Sequence, residues 1–250
     1  MTRPFIPRIR TGLQTAIALA AGLLLLCATE ISPAKEKAVK LLAGASAELE
    51  GATFGEVVEA ATGHRVIPVD PESDKEWVLK INRILDDVLT SINEPTHPIH
   101  DVRRVNEASR FIEEELAERL AAIPGWNCDF PRTETGDIQR AGYPDLKVTL
   151  PDGGIVYLDP KVFASDSRTS SFRSFYFAPK THTNKINSDA RHLVIGFAHL
   201  SKPGAQRIFE SWDLTDASGL PVRLKLEFQA SNRDMYRTEA IVASSNDTKQ

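Results

Sequence analysis

At 250 residues the chain is long enough for one full domain and an extension. With 42% hydrophobic and 26% charged residues it has the composition of an ordinary soluble α/β or α+β protein. A net charge of −4 excludes a basic coat that grips nucleic acid over its whole surface.

Residues 1–28 have the layout of a targeting segment. Arg3, Arg8 and Arg10 form a basic head, and residues 11–28 follow as an uncharged run of mostly Ala and Leu. This is expected to be a signal peptide or short membrane anchor, which implies an exported, periplasmic or membrane-associated protein. A cytoplasmic location is the alternative, with the run folded as a buried helix. Cys27 and Cys128 give neither a disulfide framework nor a zinc spacing.

Residues 34–61, rich in Ala, Glu and Lys, are expected to be helical, and 63–71, with Pro68 and Pro71, break the chain. Ser73 followed by Glu76 reads as a capping box. It opens a helix whose apolar stripe is Trp77, Ile81, Ile84, Leu85, Val88 and Ile92. Pro95 and Pro98 make 93–100 a loop. Asp101 is placed to cap a second helix, striped by Val102, Val105, Ile112, Leu116, Leu120 and Ile123 and stopped at Pro124-Gly125.

Strand signals take over from there. Residues 126–130 form a first strand. Leu146, Val148 and Leu150 alternate with polar residues, 151–154 form a tight turn, and 155–163 return as the partner strand. The polar segment 165–189 is expected to end in a helix. Residues 192–200 form an apolar strand, and 207–214 with 222–229 a further strand pair. The implied organisation is a targeting segment (1–28), a helical extension (29–98), a catalytic domain (99–237) and a disordered tail (238–250).

The hairpin concentrates the chemistry. With Asp152, Gly153 and Gly154 as a three-residue turn, Pro151 pairs with Ile155, Asp145 with Lys161 and Lys147 with Asp159. Opposed residues share a face, as do residues two apart on one strand, so Asp145, Asp159 and Lys161 converge. A two- or four-residue turn reverses the parity and sends Asp145 to the other face. Two carboxylates beside one ammonium suit phosphodiester hydrolysis. The hard oxygens hold Mg²⁺, and the lysine orients the attacking water or neutralises the phosphate. Between Lys161 and His192 there are also six Lys or Arg against two acids, a local excess suited to a polyanion or to a solvated basic loop.

Tyr143-Pro144-Asp145 followed by Asp159-Pro160-Lys161 resembles the PD-(D/E)xK nuclease superfamily, as does the order of helix, strand, Pro-Asp strand, Asp-x-Lys strand, helix and apolar strand over residues 101–200. The resemblance implies an α/β restriction-endonuclease-like core, a central mixed sheet flanked by helices. It implies Mg²⁺ held by Asp145 and Asp159, with Lys161 acting at the water. A glutamate from the preceding helix often joins such sites; Glu113 is the first choice and Glu107 the second. Within the superfamily the chain looks most like type II restriction endonucleases, whose substrate is DNA. Residues 132–137 and 170–174 have the make-up of DNA-contacting loops, and Arg168, Arg173 and Lys185 are candidates for the phosphate backbone. A homodimer is implied because double-strand cutting usually needs two sites. Phe172, Phe175, Tyr176 and Phe177 either stack on bases or anchor their loop to the core. Pro160 departs from the pattern: lacking an N–H, it requires its strand to be at an edge or bulged there. The competing readings are a non-catalytic nucleic-acid-binding module on a nuclease fold, and an exported envelope protein with a β-rich binding domain.

Overall fold

The computed structural model describes residues 33–102, 104–171, 175–179, 183–200, 207–225, 230–235 and 237–242. The expected targeting segment, Phe172, Arg173 and residues 226–229 lie outside these. Among the described residues no helix is long and apolar enough to cross a membrane. The chain divides into two compact units, Gly51–Arg223 and a second built from Met1–Glu50 with Leu224–Gln250. The second contains helix α1 (Pro33–Glu48), the four-residue helix α5 (Asn232–Met235) and a 3₁₀ turn at Thr238–Ala240. That turn is the described start of the segment expected as a disordered tail.

The unit Gly51–Arg223 carries helices α2 (Phe54–Thr62), α3 (Lys75–Ile92) and α4 (Val105–Ala121). Strands β1 (Asn127–Asp129), β2 (Leu146–Thr149), β3 (Ile155–Ala164), β4 (Arg191–Leu200) and β5 (Ile208–Asp216) follow. Part of the stretch expected as a helical extension therefore belongs to the same compact unit as the sheet. The strands lie in the order β1-β2-β3-β4-β5, antiparallel except for the parallel pair β3–β4. The result is the mixed sheet flanked by helices that the sequence led us to expect.

Period-two alternation gives the sheet two different faces. Leu146, Val148, Val156, Leu158, Leu193, Ile195 and Phe197 project to one of them. They join Ile81, Leu85 and Val88 of α3 and Ile112, Leu116 and Leu120 of α4 in the main core. These helix residues recur at the spacing read from the sequence, each contributing roughly 1.5–3 kcal/mol on burial. The other face carries a smaller core of Phe54 and Val58 from α2 with Tyr143, Tyr157, Ile186 and Ala190.

The helix starts differ from expectation. The first predicted helix splits, because Thr53 and Glu56 form a complete capping box that begins α2 anew. At α3 the Ser73/Glu76 box does not form. Ser73 donates its N–H to Asp70, Glu76 pairs with Lys80, and Asp74 is the N-cap residue. Asp101 ends a 3₁₀ turn at Pro98–His100 rather than capping α4, which starts after Arg104. Between β3 and β4 the described residues contain one 3₁₀ turn, Ser165–Ser167, and no α-helix. That crossover is held by aromatic packing instead: Phe175 and Phe177 meet the Phe54 ring edge-on at 5.2 and 5.8 Å. These two are anchors, while Tyr176 is exposed. Of the expected strand 222–229, residues 222–225 are irregular, with the chain bridged to Thr53 only at Pro221.

His192 lies fully buried in the smaller core, its Nδ1 at 2.7 Å from the Tyr143 hydroxyl. Burial drives its imidazole down to about 3, against the weaker opposing pull of Asp216. An unfolded histidine titrates near ~6.5, so from there downward the unfolded chain binds the extra proton. The contribution of this group to stability is therefore expected to fall with acidification over the window from ~6.5 to about 3, by up to about 1.4 kcal/mol per pH unit. Urea unfolding of wild type and His192→Gln at several pH values checks this. The difference between the two should shrink as pH falls, and a constant difference would show that His192 does not titrate on unfolding.

Candidate active site

The β2–β3 hairpin turns on Pro151, Asp152 and Gly153. Leu150 donates its N–H to the Gly154 carbonyl at 2.8 Å, and Gly153 donates back to Leu150 at 2.9 Å. Pro151 has the fixed φ that suits an early turn position, and Gly153 takes the left-handed position at φ +85°. The loop thus keeps the expected three residues but starts one residue sooner. The pairing shifts accordingly: Leu146 faces Leu158 and Lys147 faces Tyr157, not Asp159. Asp145, one step beyond, comes level with Asp159 rather than Lys161. An odd loop length preserves the parity, so Asp145 still shares a face with Asp159 and Lys161.

Pro160 fits for a local reason. β3 is an interior strand, but β2 ends at Leu146 opposite Leu158. Asp145 donates its N–H to the Leu158 carbonyl, so Leu158 and, two residues on, Pro160 direct their main-chain groups toward the β2 side. At Pro160 no strand partner remains there, and its missing N–H costs no ladder bond. From Asp159 to Ala164 β3 is an edge on that side, and Asp145, Asp159 and Lys161 lie where the β2 pairing ends.

Within the cluster the Lys161 ammonium contacts Asp159 Oδ2 and lies 3.7 Å from Asp145 Oδ2. Asp159 is buried, and Asp145 and Lys161 are only partly open to solvent. Burial, and next the charge of Asp159, push the Asp145 carboxyl up to about 7, with Lys161 and Lys185 pulling the other way. Glu113 projects from α4 beside the buried Ile112. Burial and then the Asp145 charge raise its carboxyl, so it belongs to the same electrostatic neighbourhood. Arg140 Nη2 lies 3.6 Å from both Glu113 and Glu114, and its guanidinium sits 3.9 Å over the Phe130 ring. No pattern in the sequence singles out Arg140. Glu107, in the first turn of α4, is exposed. Among the described residues no set of three or more His, Cys, Asp or Glu side chains is gathered closely enough to enclose a metal ion.

Two of the expected phosphate contacts have partners within the protein. Lys185 is fully buried and donates to the Gly142 carbonyl at 2.5 Å, three residues before Asp145. It ties the crossover to the residues leading into β2, and only its charge was legible in the sequence. Arg168 is bound in a two-pronged pair with Asp213 at 2.6 and 2.8 Å. Gly196, level with Lys161 on β4, gives the Phe163 ring the space a side chain would take: a Cβ there would lie 2.9 Å from that ring.

The profile of the type II restriction enzyme MjaV family matches residues 48–239, which include Glu113, Asp145, Asp159 and Lys161. The chain belongs to this family. It is similar to the type II restriction enzyme MjaV of Methanocaldococcus jannaschii, 29% identical over 207 residues that cover 78% of this chain and 89% of the relative. Membership of the MjaV family agrees with the type II restriction endonuclease resemblance and disfavours both a non-catalytic module and an envelope protein. The matched stretch begins just before α2, so in this family α2 and α3 are shared along with the sheet.

Proposed function

We propose that this protein is a Mg²⁺-dependent endonuclease of the PD-(D/E)xK type that cuts DNA at a specific sequence. The observation that carries the reading is the convergence of Asp145, Asp159 and Lys161 on one face, where β2 leaves β3. The donor set fits a hard divalent cation: two oxygen-bearing groups repel one another in a poorly solvated pocket, and a cation between them relieves that repulsion. Mg²⁺ bound there supplies Lewis acidity and neutralises charge on the scissile phosphate. Asp145 and Asp159 would hold it, with Glu113 close enough electrostatically to assist.

The chain's own groups do the rest. Lys161 Nζ holds a proton-donating position beside both carboxylates, from which it orients water or bonds a non-bridging phosphate oxygen. Glu113, whose carboxyl feels the charge of Asp145, is ion-paired with Arg140. Family membership supports DNA as the substrate, and cutting both strands of a duplex favours a homodimer.

The test is digestion of phage or plasmid DNA with purified protein and Mg²⁺. Discrete fragments that vanish with EDTA are expected. Uncut DNA in both Mg²⁺ and Mn²⁺ over a range of salt would remove the catalytic reading.

A further inference from the structure

A groove lies beside the acidic cluster on the same face of the sheet. It has a volume of about 230 Å³; its polar lining is Asn127 and Asp129 of β1, Lys147 and Thr149 of β2, Arg132 and Asn187, with Phe130 and Pro131 completing the wall. Its position follows from register. Asn127 faces Thr149, Asp129 faces Lys147, and Lys147 faces Tyr157. Lys147 is two residues from Asp145 on one strand, a separation of roughly 6–7 Å. The intervening residues Cys128, Leu146 and Val148 are buried in the main core on the opposite face, so alternation leaves this face of the two strands entirely polar.

We propose that this groove reads base edges of the DNA duplex, an inference that rests on the nuclease reading and adds its specificity-determining residues. Phosphate binding calls for cations, and a groove built for that purpose would not include Asp129 in its lining. Reading bases calls for donors and acceptors side by side. The groove offers two side-chain amides, a carboxylate, a hydroxyl, an ammonium and a guanidinium, the set able to tell the four base pairs apart. Its members are held in place. Asn127 Nδ2 donates to Asp129 Oδ2 at 2.8 Å, and Lys147 Nζ donates to Asn187 Oδ1 at 3.2 Å. The Tyr157 hydroxyl donates to the same Asn187 oxygen at 3.1 Å, and the Arg132 guanidinium donates to the Gly136 carbonyl at 2.9 Å. Such bonds orient the groups and leave each long polar side chain further capacity. β1 is the edge strand, so a duplex can approach from that side while its backbone reaches Asp145 and Lys161.

The experiment sequences the ends produced by wild type, Asn127→Ala, Asp129→Asn and Thr149→Val on a pool of duplexes randomised over eight base pairs, with Mg²⁺. Wild type is expected to cut one site. At least one variant should lose about tenfold or more in preference for that site over its single-base neighbours, at one position of the site. If wild type cuts nothing, the nuclease reading fails and this inference with it. If wild type cuts specifically and all three folded variants keep its site spectrum, the groove does not read bases. A uniform loss of rate across all sequences also overturns the proposal, because that is the signature of lost backbone contacts. Circular dichroism melting identifies any variant that fails to fold, and the remaining variants decide.

Discussion

Asp159→Asn is expected to lower the rate of Mg²⁺-dependent DNA cleavage by about 10³-fold or more, and Lys161→Ala by a comparable factor. The two should differ in a second measurement. In Asp159→Asn a charge leaves a pocket where burial and the neighbouring carboxylate already force Asp145 up to about 7. The metal-free variant should therefore melt no lower than wild type, and Mg²⁺, expected to raise the melting temperature of wild type, should leave that of the variant unchanged. In Lys161→Ala two carboxylates lose the ammonium that contacts both, so the metal-free protein should melt lower and gain more from Mg²⁺ than wild type does. Calorimetry with and without Mg²⁺, alongside cleavage kinetics, separates these outcomes. Full activity in either variant would dissolve the site, and an unchanged Mg²⁺ response in Asp159→Asn would remove Asp159 from the metal.

This site was legible in the sequence because one parity argument governs it. An odd hairpin loop puts Asp145 on the face of Asp159 and Lys161 wherever the loop begins, so misplacing the turn by one residue left the convergence intact. What parity cannot give is the partner, and the alignment of Asp145 with Asp159 required knowing that Gly153 takes the positive φ. The helical stripes were equally legible, since Ile81, Leu85, Ile112 and Leu116 recur with the period of the backbone itself. Features set by distant contacts were not. Lys185 looks basic and surface-bound in sequence, yet a carbonyl 43 residues away draws its ammonium inside. Asp74 sits at a helix start, where a local capping role is the natural reading for its neighbourhood, yet its carboxylate is taken by a guanidinium 117 residues away. Pro160 looked like an obstacle because a sequence shows that a strand exists without showing where its neighbour stops.

The Asp74–Arg191 pair carries the largest expected effect on stability. The Asp74 carboxylate is buried and accepts four bonds: Arg191 Nη2 at 2.8 Å and Trp77 Nε1 at 3.0 Å on Oδ1, Arg191 Nε and the Asp70 N–H, both at 2.9 Å, on Oδ2. It joins the start of α3 to the first residue of β4. Arg191 stands opposite Val156, and the same run of β4 passes Asp159 at Val194 and Lys161 at Gly196. The clamp thus sets the position of the strand against which the Asp159–Lys161 stretch of β3 is laid. Asp74→Ala would leave a mostly buried guanidinium, an indole N–H and a main-chain N–H without their acceptor, a loss of about 3–5 kcal/mol. Against a total stability of roughly 5–15 kcal/mol, that moves the urea midpoint well down. Arg191→Ala should cost a similar amount, and the double variant clearly less than the sum, since each single change strands the other partner. Additive losses, or single losses under about 1 kcal/mol, would mean that the pair is an incidental surface bridge. Acid separates this clamp from His192. Burial favours the neutral Asp74 acid, but the bonds from Asp70, Trp77 and Arg191 outweigh it and hold the carboxyl below its ordinary range. Its contribution is therefore complete above the unfolded carboxyl pKa near ~3.9 and is lost only as pH falls below that. Asp145, raised to about 7, works against His192 over the same window, because the folded protein takes up its carboxyl proton before the unfolded chain does. The His192 share is therefore the difference between wild type and His192→Gln, and Asp74→Ala should leave that difference in place.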